Sequence, residues 1–175
     1  MAIKTIFLDR DGVINKEVNY LHKITDFEFI EGIFEALTYF QKLDYRIIII
    51  TNQSGISRGY YTENDYKILT LWMLEQLKEK GNEILDIFHC PHDPKLNCDC
   101  RKPKPGMITQ AIKKYNIDIE NSWMIGDKET DIQAAHAAGI QNTILVRSGH
   151  VIDESTSHAK FFLDSIINSR QVITS

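Results

Sequence analysis

The chain has 175 residues, a length that suits one domain with a sizeable hydrophobic core. Hydrophobic residues make up 43% of it and charged residues 25%, and the net charge of −4 argues against a general nucleic-acid-binding protein. No apolar run approaches the ~20 residues that cross a bilayer, and the N-terminus lacks the pattern of a secretory signal. We therefore expect a cytoplasmic protein that binds neither nucleic acid nor membranes, and we also expect a monomer.

Apolar runs typical of strands alternate with helical patterns along the chain. The predicted strands are Ile6–Leu8, Ile47–Ile50, Ile84–Phe88, Trp123–Ile125, Thr143–Val146 and Phe161–Leu163. The predicted helices are one from Ile33 to Leu43, one capped by Thr62 and ending at Gly81, one from Met107 to Tyr115, and a short alanine-rich helix before Thr143. This alternation predicts an α/β fold, a Rossmann-like doubly wound parallel sheet in a single domain over residues 1–175. The polar tail after Asn168 is expected to fray.

Two aspartates follow the first predicted strand. Asp9 and Asp11 stand one residue apart and are followed at once by Gly12. A buried strand tolerates such carboxylates only where it meets solvent, a cation or a substrate, and in an open parallel sheet that place is the carboxyl edge. The alternative is an Asp-Gly turn with solvated acids, and this motif alone leaves both interpretations open.

Two polar segments further along the chain are suited to an anion. Thr51-Asn52-Gln53-Ser54-Gly55 follows the isoleucine strand and offers a hydroxyl, two amides and a permissive glycine. Arg101-Lys102-Pro103-Lys104-Pro105-Gly106 holds three cations on a stiff loop just before a helix, an arrangement that suits phosphate. Each segment taken alone has a simpler alternative, a solvated polar turn or a solvated basic loop.

A second acidic turn, Gly126-Asp127-Lys128-Glu129-Thr130-Asp131, follows the strand that begins at Trp123, and its simpler alternative is the acidic start of a helix. Taken together, the carboxylates, the hydroxyl-amide turn and the lysine fall near strand or helix ends on one face. They combine an oxygen-ligand site for a hard cation with a cradle for an anion. That combination indicates phosphoryl chemistry.

The three cysteines of the chain all lie between Cys90 and Cys100. An odd, clustered set in a reducing compartment favours a metal over disulfides. With His92 and Cys98 they form a C-x-H-x5-C-x-C pattern that matches a closed, tetrahedral structural zinc site. Residues 89–106 are therefore predicted to form a zinc-binding loop that fixes the cations following the last ligand. Unliganded cysteines are the alternative.

In this order, and over nearly the whole chain, the motifs resemble those of the haloacid dehalogenase (HAD) superfamily of phosphohydrolases. The resemblance rests on D-x-D-G-[TV] at 9–13, the strand ending at Thr51, Lys102, and the G-D-x3-D turn at 126–131. It implies an HAD fold, here without a large cap domain, because no stretch between the motifs is long enough for one. The active site should then be open, covered only by the loops at 12–30, 54–61 and 89–106.

The resemblance also implies roles for individual residues. Asp9 would be the nucleophile that forms an aspartyl-phosphate, and Asp11 the general acid and base. Mg²⁺ would be held by Asp9, Asp127 and the backbone carbonyl of Asp11. Thr51 and Lys102 would hold the transferred oxygens. For Asp131 two roles stay open, support of the metal site and the start of a helix.

The cysteine loop resembles two subfamilies, the D-glycero-D-manno-heptose 1,7-bisphosphate 7-phosphatases and the histidinol-phosphate phosphatases. The chain is similar to the heptose enzymes at residues 51–62, 19–20 and 27–30. The short spacer of five residues between His92 and Cys98 is instead similar to that of the histidinol-phosphate enzymes. The heptose resemblance implies removal of the 7-phosphate from a small phosphorylated sugar in lipopolysaccharide-core or other nucleotide-heptose precursor synthesis. The substrate contacts that it implies are Glu17, Val18, Asn19, Tyr20, Asn52, Gln53, Ser54, Arg101 and Lys128.

Two further alternatives stay open. The segment Thr-Asn-Gln-x-Gly-Ile at 51–56 also occurs in polynucleotide 3′-phosphatases, although the acidic balance of the chain counts against that function. The other alternative is a catalytically idle, zinc-stabilised binding protein, and the presence of both Asp9 and Asp11 argues against it.

Overall fold

Six parallel strands form one sheet in the computed structural model, which describes residues 1–175. The strands are β1 (Thr5–Leu8), β2 (Arg46–Asn52), β3 (Asp86–Cys90), β4 (Trp123–Gly126), β5 (Asn142–Val146) and β6 (Phe161–Leu163). Their order across the sheet is β3-β2-β1-β4-β5-β6, and every pairing is parallel. The doubly wound sheet predicted from the sequence is confirmed, with β3 two residues later than expected.

Four α-helices cover the sheet: α1 (Ile33–Lys42), α2 (Glu63–Glu79), α3 (Gly106–Tyr115) and α4 (Glu129–Ala137). The predicted cap of α2 is present, since Thr62 Oγ1 accepts from the Asp65 backbone N–H at 3.1 Å and the Asp65 carboxylate accepts from the Thr62 N–H at 2.8 Å. None of these helices combines the length and apolar character that crossing a membrane requires.

Successive side chains along each strand point to opposite faces of the sheet, so they form two hydrophobic cores, one on each face. On one face Ile6, Leu8, Ile47 and Ile49 pack with α1 and α2. On the other face Phe7, Ile48, Ile50 and Met124 pack with α3 and α4. The central strands are therefore buried on both faces, as the unbroken isoleucine run predicts.

The expectation that the tail after Asn168 frays is wrong. A 3-10 helix over Ile166–Gln171 lies against α1, and Ser169 and Ile173 are buried. The Tyr39 hydroxyl donates to the Ile173 carbonyl at 2.9 Å. Because these partners lie some 130 residues earlier in the chain, the polar composition of the tail alone does not disclose them.

Candidate active site

The strand order reverses direction between β1 and β4, and this reversal opens a crevice at the carboxyl edge of the sheet. Asp9 follows β1 directly and Asp127 follows β4 directly. The Asp9 N–H donates to the Ile125 carbonyl at 3.1 Å, so the two strand ends are joined at this point. The first and the last acidic motif of the sequence therefore meet in the crevice where ligands of such sheets bind.

The Asp9 carboxylate is held on one oxygen only. Its Oδ1 accepts from the Arg10 backbone N–H at 2.8 Å and lies 3.0 Å from Lys102 Nζ, while Oδ2 has no protein partner. The Lys102 ammonium is 3% exposed and also lies 2.6 Å from Asp131 Oδ1 and 2.8 Å from the Ile50 carbonyl. Burial disfavours its charge, but the carboxylates of Asp131 and Asp9 raise the pKa of Lys102 above its usual value, so the cation is retained.

Three buried carboxylates converge in the crevice. Oxygens of Asp9, Asp127 and Asp131 lie within 4.8 Å of one another. Burial, with repulsion from Asp131, raises the pKa of Asp9 to about 6, and burial with repulsion from Asp9 raises the pKa of Asp127 to about 7. Asp127 Oδ1 is buried without any hydrogen-bond partner. An unpartnered acceptor among like charges fits a hard cation such as Mg²⁺.

Asp11 lies outside this carboxylate cluster and has its own set of donors. The buried Arg10 guanidinium contacts both of its oxygens at 3.0 and 3.1 Å, and Asn15 Nδ2 donates to Oδ1 at 3.0 Å. Gln53 Nε2 donates to Oδ2 at 3.2 Å, and the Tyr61 hydroxyl donates to Gln53 Oε1 at 2.5 Å. The two aspartates of the first motif thus have different surroundings, one facing a cation site and the other a hydrogen-bond network.

A cavity of about 360 Å³ opens above these groups. Its lining contains these residues predicted from the sequence: Asp9, Asp11, Glu17, Val18, Asn19, Tyr20, Asn52, Gln53, Ser54, Arg101, Lys102 and Lys128. Thr51 is not among the lining residues, because it is fully buried and its hydroxyl accepts from Gln53 Nε2 at 2.8 Å. Asp127 is likewise fully buried, below the cavity.

Asp131 and five residues without a predicted role also line the cavity; the five are Leu21, Arg58, Tyr61, Thr130 and His150. Asp131 accepts from the backbone N–H groups of Asp127 and Lys128 at 3.1 Å through Oδ2, so it both caps the N-terminus of α4 and joins the acidic cluster. His150 lies on the loop after β5, which ends at the same sheet edge as β1 and β4. That strand end was a signal available in the sequence.

The end of β3 and the loop that follows it bring the four predicted zinc ligands together. The Cys90 and Cys100 sulfurs lie 2.9 Å apart, the Cys90 and Cys98 sulfurs 3.7 Å apart, and His92 Nδ1 lies 3.2 Å from Cys100 Sγ. Burial opposes the Cys98 thiolate, but hydrogen bonds from the Arg101 backbone N–H and from neighbouring thiols lower its pKa to about 6. Three sulfurs and one imidazole nitrogen in mutual reach form a donor set that fits zinc.

This loop also carries cations to the cavity. Arg101 follows the last cysteine, and its Nη1 donates to the His92 carbonyl at 3.5 Å. Asn52, at the end of β2, accepts from the Lys102 N–H at 3.1 Å and donates to the Lys102 carbonyl at 3.3 Å. The backbone at Lys102 is therefore fixed from two sides, by the cysteine cluster and by β2.

Comparison with known proteins identifies the family of the chain. Residues 99–169 match the HAD-hydrolase-like family model. Over 164 residues the chain is 57% identical to the D-glycero-alpha-D-manno-heptose-1,7-bisphosphate 7-phosphatase of Photorhabdus laumondii, covering 90% of each chain. A second protein of that organism, the D-glycero-beta-D-manno-heptose-1,7-bisphosphate 7-phosphatase, is 43% identical and covers 96% of this chain and 92% of its own.

The solved structures include a similar protein. The D,D-heptose 1,7-bisphosphate phosphatase from B. bronchiseptica, complexed with magnesium and phosphate, superposes with a TM-score of 0.84 at 30% identity and 98% coverage of both chains. These relatives and the geometry at the carboxyl edge agree on one class of enzyme. The chain belongs to the heptose-1,7-bisphosphate 7-phosphatase family of the HAD phosphatases.

Proposed function

We propose that the chain hydrolyses the 7-phosphate ester of D-glycero-D-manno-heptose 1,7-bisphosphate, with Mg²⁺ as its cofactor. The observation that carries this proposal is the 57% identity, over 90% of both chains, to a relative named for that reaction. The product would feed the synthesis of lipopolysaccharide core or other nucleotide-heptose precursors. The substrate is a small phosphorylated sugar, and we expect the chain to act on it as a cytoplasmic monomer.

The proposed reaction has two steps, both at the edge of β1. In the first, Asp9 attacks phosphorus, the bond from phosphorus to the sugar oxygen breaks, and Asp11 gives that oxygen a proton. In the second, Asp11 takes a proton from water, the water oxygen attacks phosphorus, and the bond to Asp9 breaks to release phosphate. The partner-free Oδ2 of Asp9 supports its role as nucleophile, since its Oδ1 is engaged by Lys102 and Arg10.

The cation site would be formed by Asp9, Asp127 and the backbone carbonyl of Asp11. When bound, Mg²⁺ supplies the positive charge that lets a carboxylate approach a phosphate. Asp131 is engaged by Lys102 and by the backbone N–H groups of Asp127 and Lys128 just before α4, so we assign it a supporting role rather than direct coordination.

The phosphate would be held by Lys102 and Arg101. We also propose that Thr51 contacts the phosphoryl group. This contact requires the Thr51 hydroxyl to give up the hydrogen bond that it accepts from Gln53 Nε2. We assign zinc to Cys90, His92, Cys98 and Cys100 as a structural ion, because four protein ligands leave no open position for chemistry. Its function would be to hold the Arg101 backbone at the cavity.

The substrate side would be lined by Glu17, Asn19 and Ser54, whose polar groups suit sugar hydroxyls. Burial, with repulsion from Asp11, raises the pKa of Glu17 to about 7, which lets its carboxyl act as either donor or acceptor near neutral pH. Lys128 lies beside it and adds a positive charge at the same wall.

Of the two anomers we propose the α form as the preferred substrate. The relative named for it is 57% identical to this chain over the aligned residues, against 43% for the relative from the same organism named for the β form. The test is phosphate release, with Mg²⁺, from both anomers, from histidinol phosphate and from an oligonucleotide with a 3′-phosphate.

We expect kcat/KM to be highest for the α-heptose bisphosphate, and at least about tenfold higher for it than for histidinol phosphate or the oligonucleotide, a range that contacts to substrate hydroxyls can supply. Faster hydrolysis of histidinol phosphate would contradict the heptose proposal. Faster hydrolysis of the β anomer would contradict the anomer preference alone.

A further inference from the structure

The two oxygens of the Asp127 carboxylate have different surroundings. Oδ2 accepts from the His150 backbone N–H at 3.0 Å and from His150 Nδ1 at 2.6 Å. Oδ1, by contrast, is buried and has no hydrogen-bond partner. One residue therefore provides both donors to the carboxylate and leaves the other oxygen free for a cation.

The loop that carries His150 packs directly on this carboxylate. A Cβ atom added at Gly149 would lie 2.1 Å from Asp127 Oδ2, so only glycine permits the backbone to approach so closely. The Ser148 hydroxyl donates to the Gly12 carbonyl at 2.7 Å and ties the loop to the end of the first motif. The position of the His150 backbone is thus fixed by neighbours on both sides.

The imidazole spans the distance from the buried acid to the cavity. Nδ1 faces Asp127, and Nε2 lies 3.8 Å from Glu17 Oε1 at the cavity wall. The side chain is 37% exposed, so it contributes little to the hydrophobic cores. Its contacts are with the acidic groups of the site, which is unusual for a residue that only fills space.

We propose that His150 is a positioning residue, which orients the Asp127 carboxylate so that Oδ1 points to the cation site. The physical reason is that a ligating carboxylate held by a second hydrogen bond loses less rotational freedom on binding a metal than one held by a single N–H. This inference rests on the proposed function, because it takes Asp127 as a ligand of Mg²⁺.

The test is the Mg²⁺ affinity of zinc-loaded, Mg²⁺-free protein, measured by titration calorimetry. His150→Leu keeps the bulk of the side chain without a donor, and His150→Asn places an amide N–H near the position of Nδ1. His158→Leu is the matched control, since His158 is exposed and contacts Glu129 away from the cavity.

We expect His150→Leu to weaken Mg²⁺ binding about 10- to 100-fold, the usual effect of losing such a partner. His150→Asn should recover most of the affinity, and His158→Leu should leave it unchanged. At saturating Mg²⁺ the kcat of His150→Leu should return towards the wild-type value, which loss of a catalytic group would not allow.

Wild-type affinity in His150→Leu would overturn the inference while leaving the proposed function intact. Equal weakening in the Leu and Asn variants would also overturn it, because the donor would then not be what matters. If the wild-type protein itself bound no Mg²⁺, the cation site of the proposed function would fail together with the inference.

Discussion

Replacing Lys102 by methionine should destabilise the Mg²⁺-free protein in a strongly pH-dependent way. Three oxygens lie within 3.0 Å of the buried ammonium, as many as it has protons, and two of them belong to the carboxylates of Asp9 and Asp131. Methionine fills a similar volume, so the main effect is the loss of charge. Removing one partner from a buried ion pair costs about 3–5 kcal/mol of unfolding free energy, because the other charge stays buried and uncompensated.

The loss of unfolding free energy in this variant should depend on pH. Burial already raises the pKa of Asp9 to about 6, so at pH 8 this carboxylate is ionised and the full loss is expected. At pH 5 a proton can neutralise it, and the loss should be smaller. Urea unfolding at both values measures this difference, with Lys113→Met as the control because Lys113 is exposed and makes no ion pair. A loss below about 1 kcal/mol at pH 8, or an equal loss at pH 5, would refute the reasoning.

Three further predictions concern the acids and the cysteine loop. Asp9→Asn should lower the rate of phosphate release by about 10⁴-fold or more. The wild-type enzyme quenched in acid should retain covalent phosphate, and the variant should not. Turnover of the variant near the wild-type rate would exclude Asp9 as the nucleophile. Cys98→Ser should reduce bound zinc from about one equivalent per chain and raise KM, as metal analysis and kinetics would measure; a zinc-free variant with unchanged KM would show that the loop needs no metal. Burial raises the pKa of Asp127 from 3.8 to about 7. Between these pH values the folded Mg²⁺-free protein therefore binds more protons than the unfolded chain, and its free energy of unfolding should fall as the pH rises. Urea unfolding at pH 5 and 8 should show that fall and a smaller one in Asp127→Asn; equal slopes would contradict it.

Much of the fold could be predicted because the spacing of apolar residues within each segment indicates whether that segment forms a strand or a helix. The isoleucine run at 47–50 is typical of a strand buried on both faces, and the helical spacing from Ile33 places the end of α1 within a residue. The exact bounds of β3 could not be predicted, since an edge strand is set by its pairing with β2 rather than by its own pattern. The packing of Ile173 against α1 depends on contacts distant in sequence.

The residues of the candidate site likewise differ in how far the sequence alone identifies them. The spacing of the cysteines and His92 alone made them candidate zinc ligands. Asp9 and Lys102 stand in compact motifs whose roles came only with the resemblance to the HAD superfamily. Arg10 was not identified, because an arginine between two aspartates resembles a surface residue until the structure shows it buried against Asp11. His150 has no motif spacing either, and the only indication of it in the sequence was its place after the predicted strand Thr143–Val146.

The charges in the crevice can be counted. When all are ionised, the three carboxylates and the one ammonium among them leave two net negative charges in a volume from which water is largely excluded. A divalent ion cancels that excess, whereas a monovalent ion leaves one charge uncompensated and a trivalent ion overshoots by one. The net charge that the crevice presents to a cation is therefore set by Lys102 as much as by the acids, and a protein lacking that lysine would present a crevice matched to a trivalent ion.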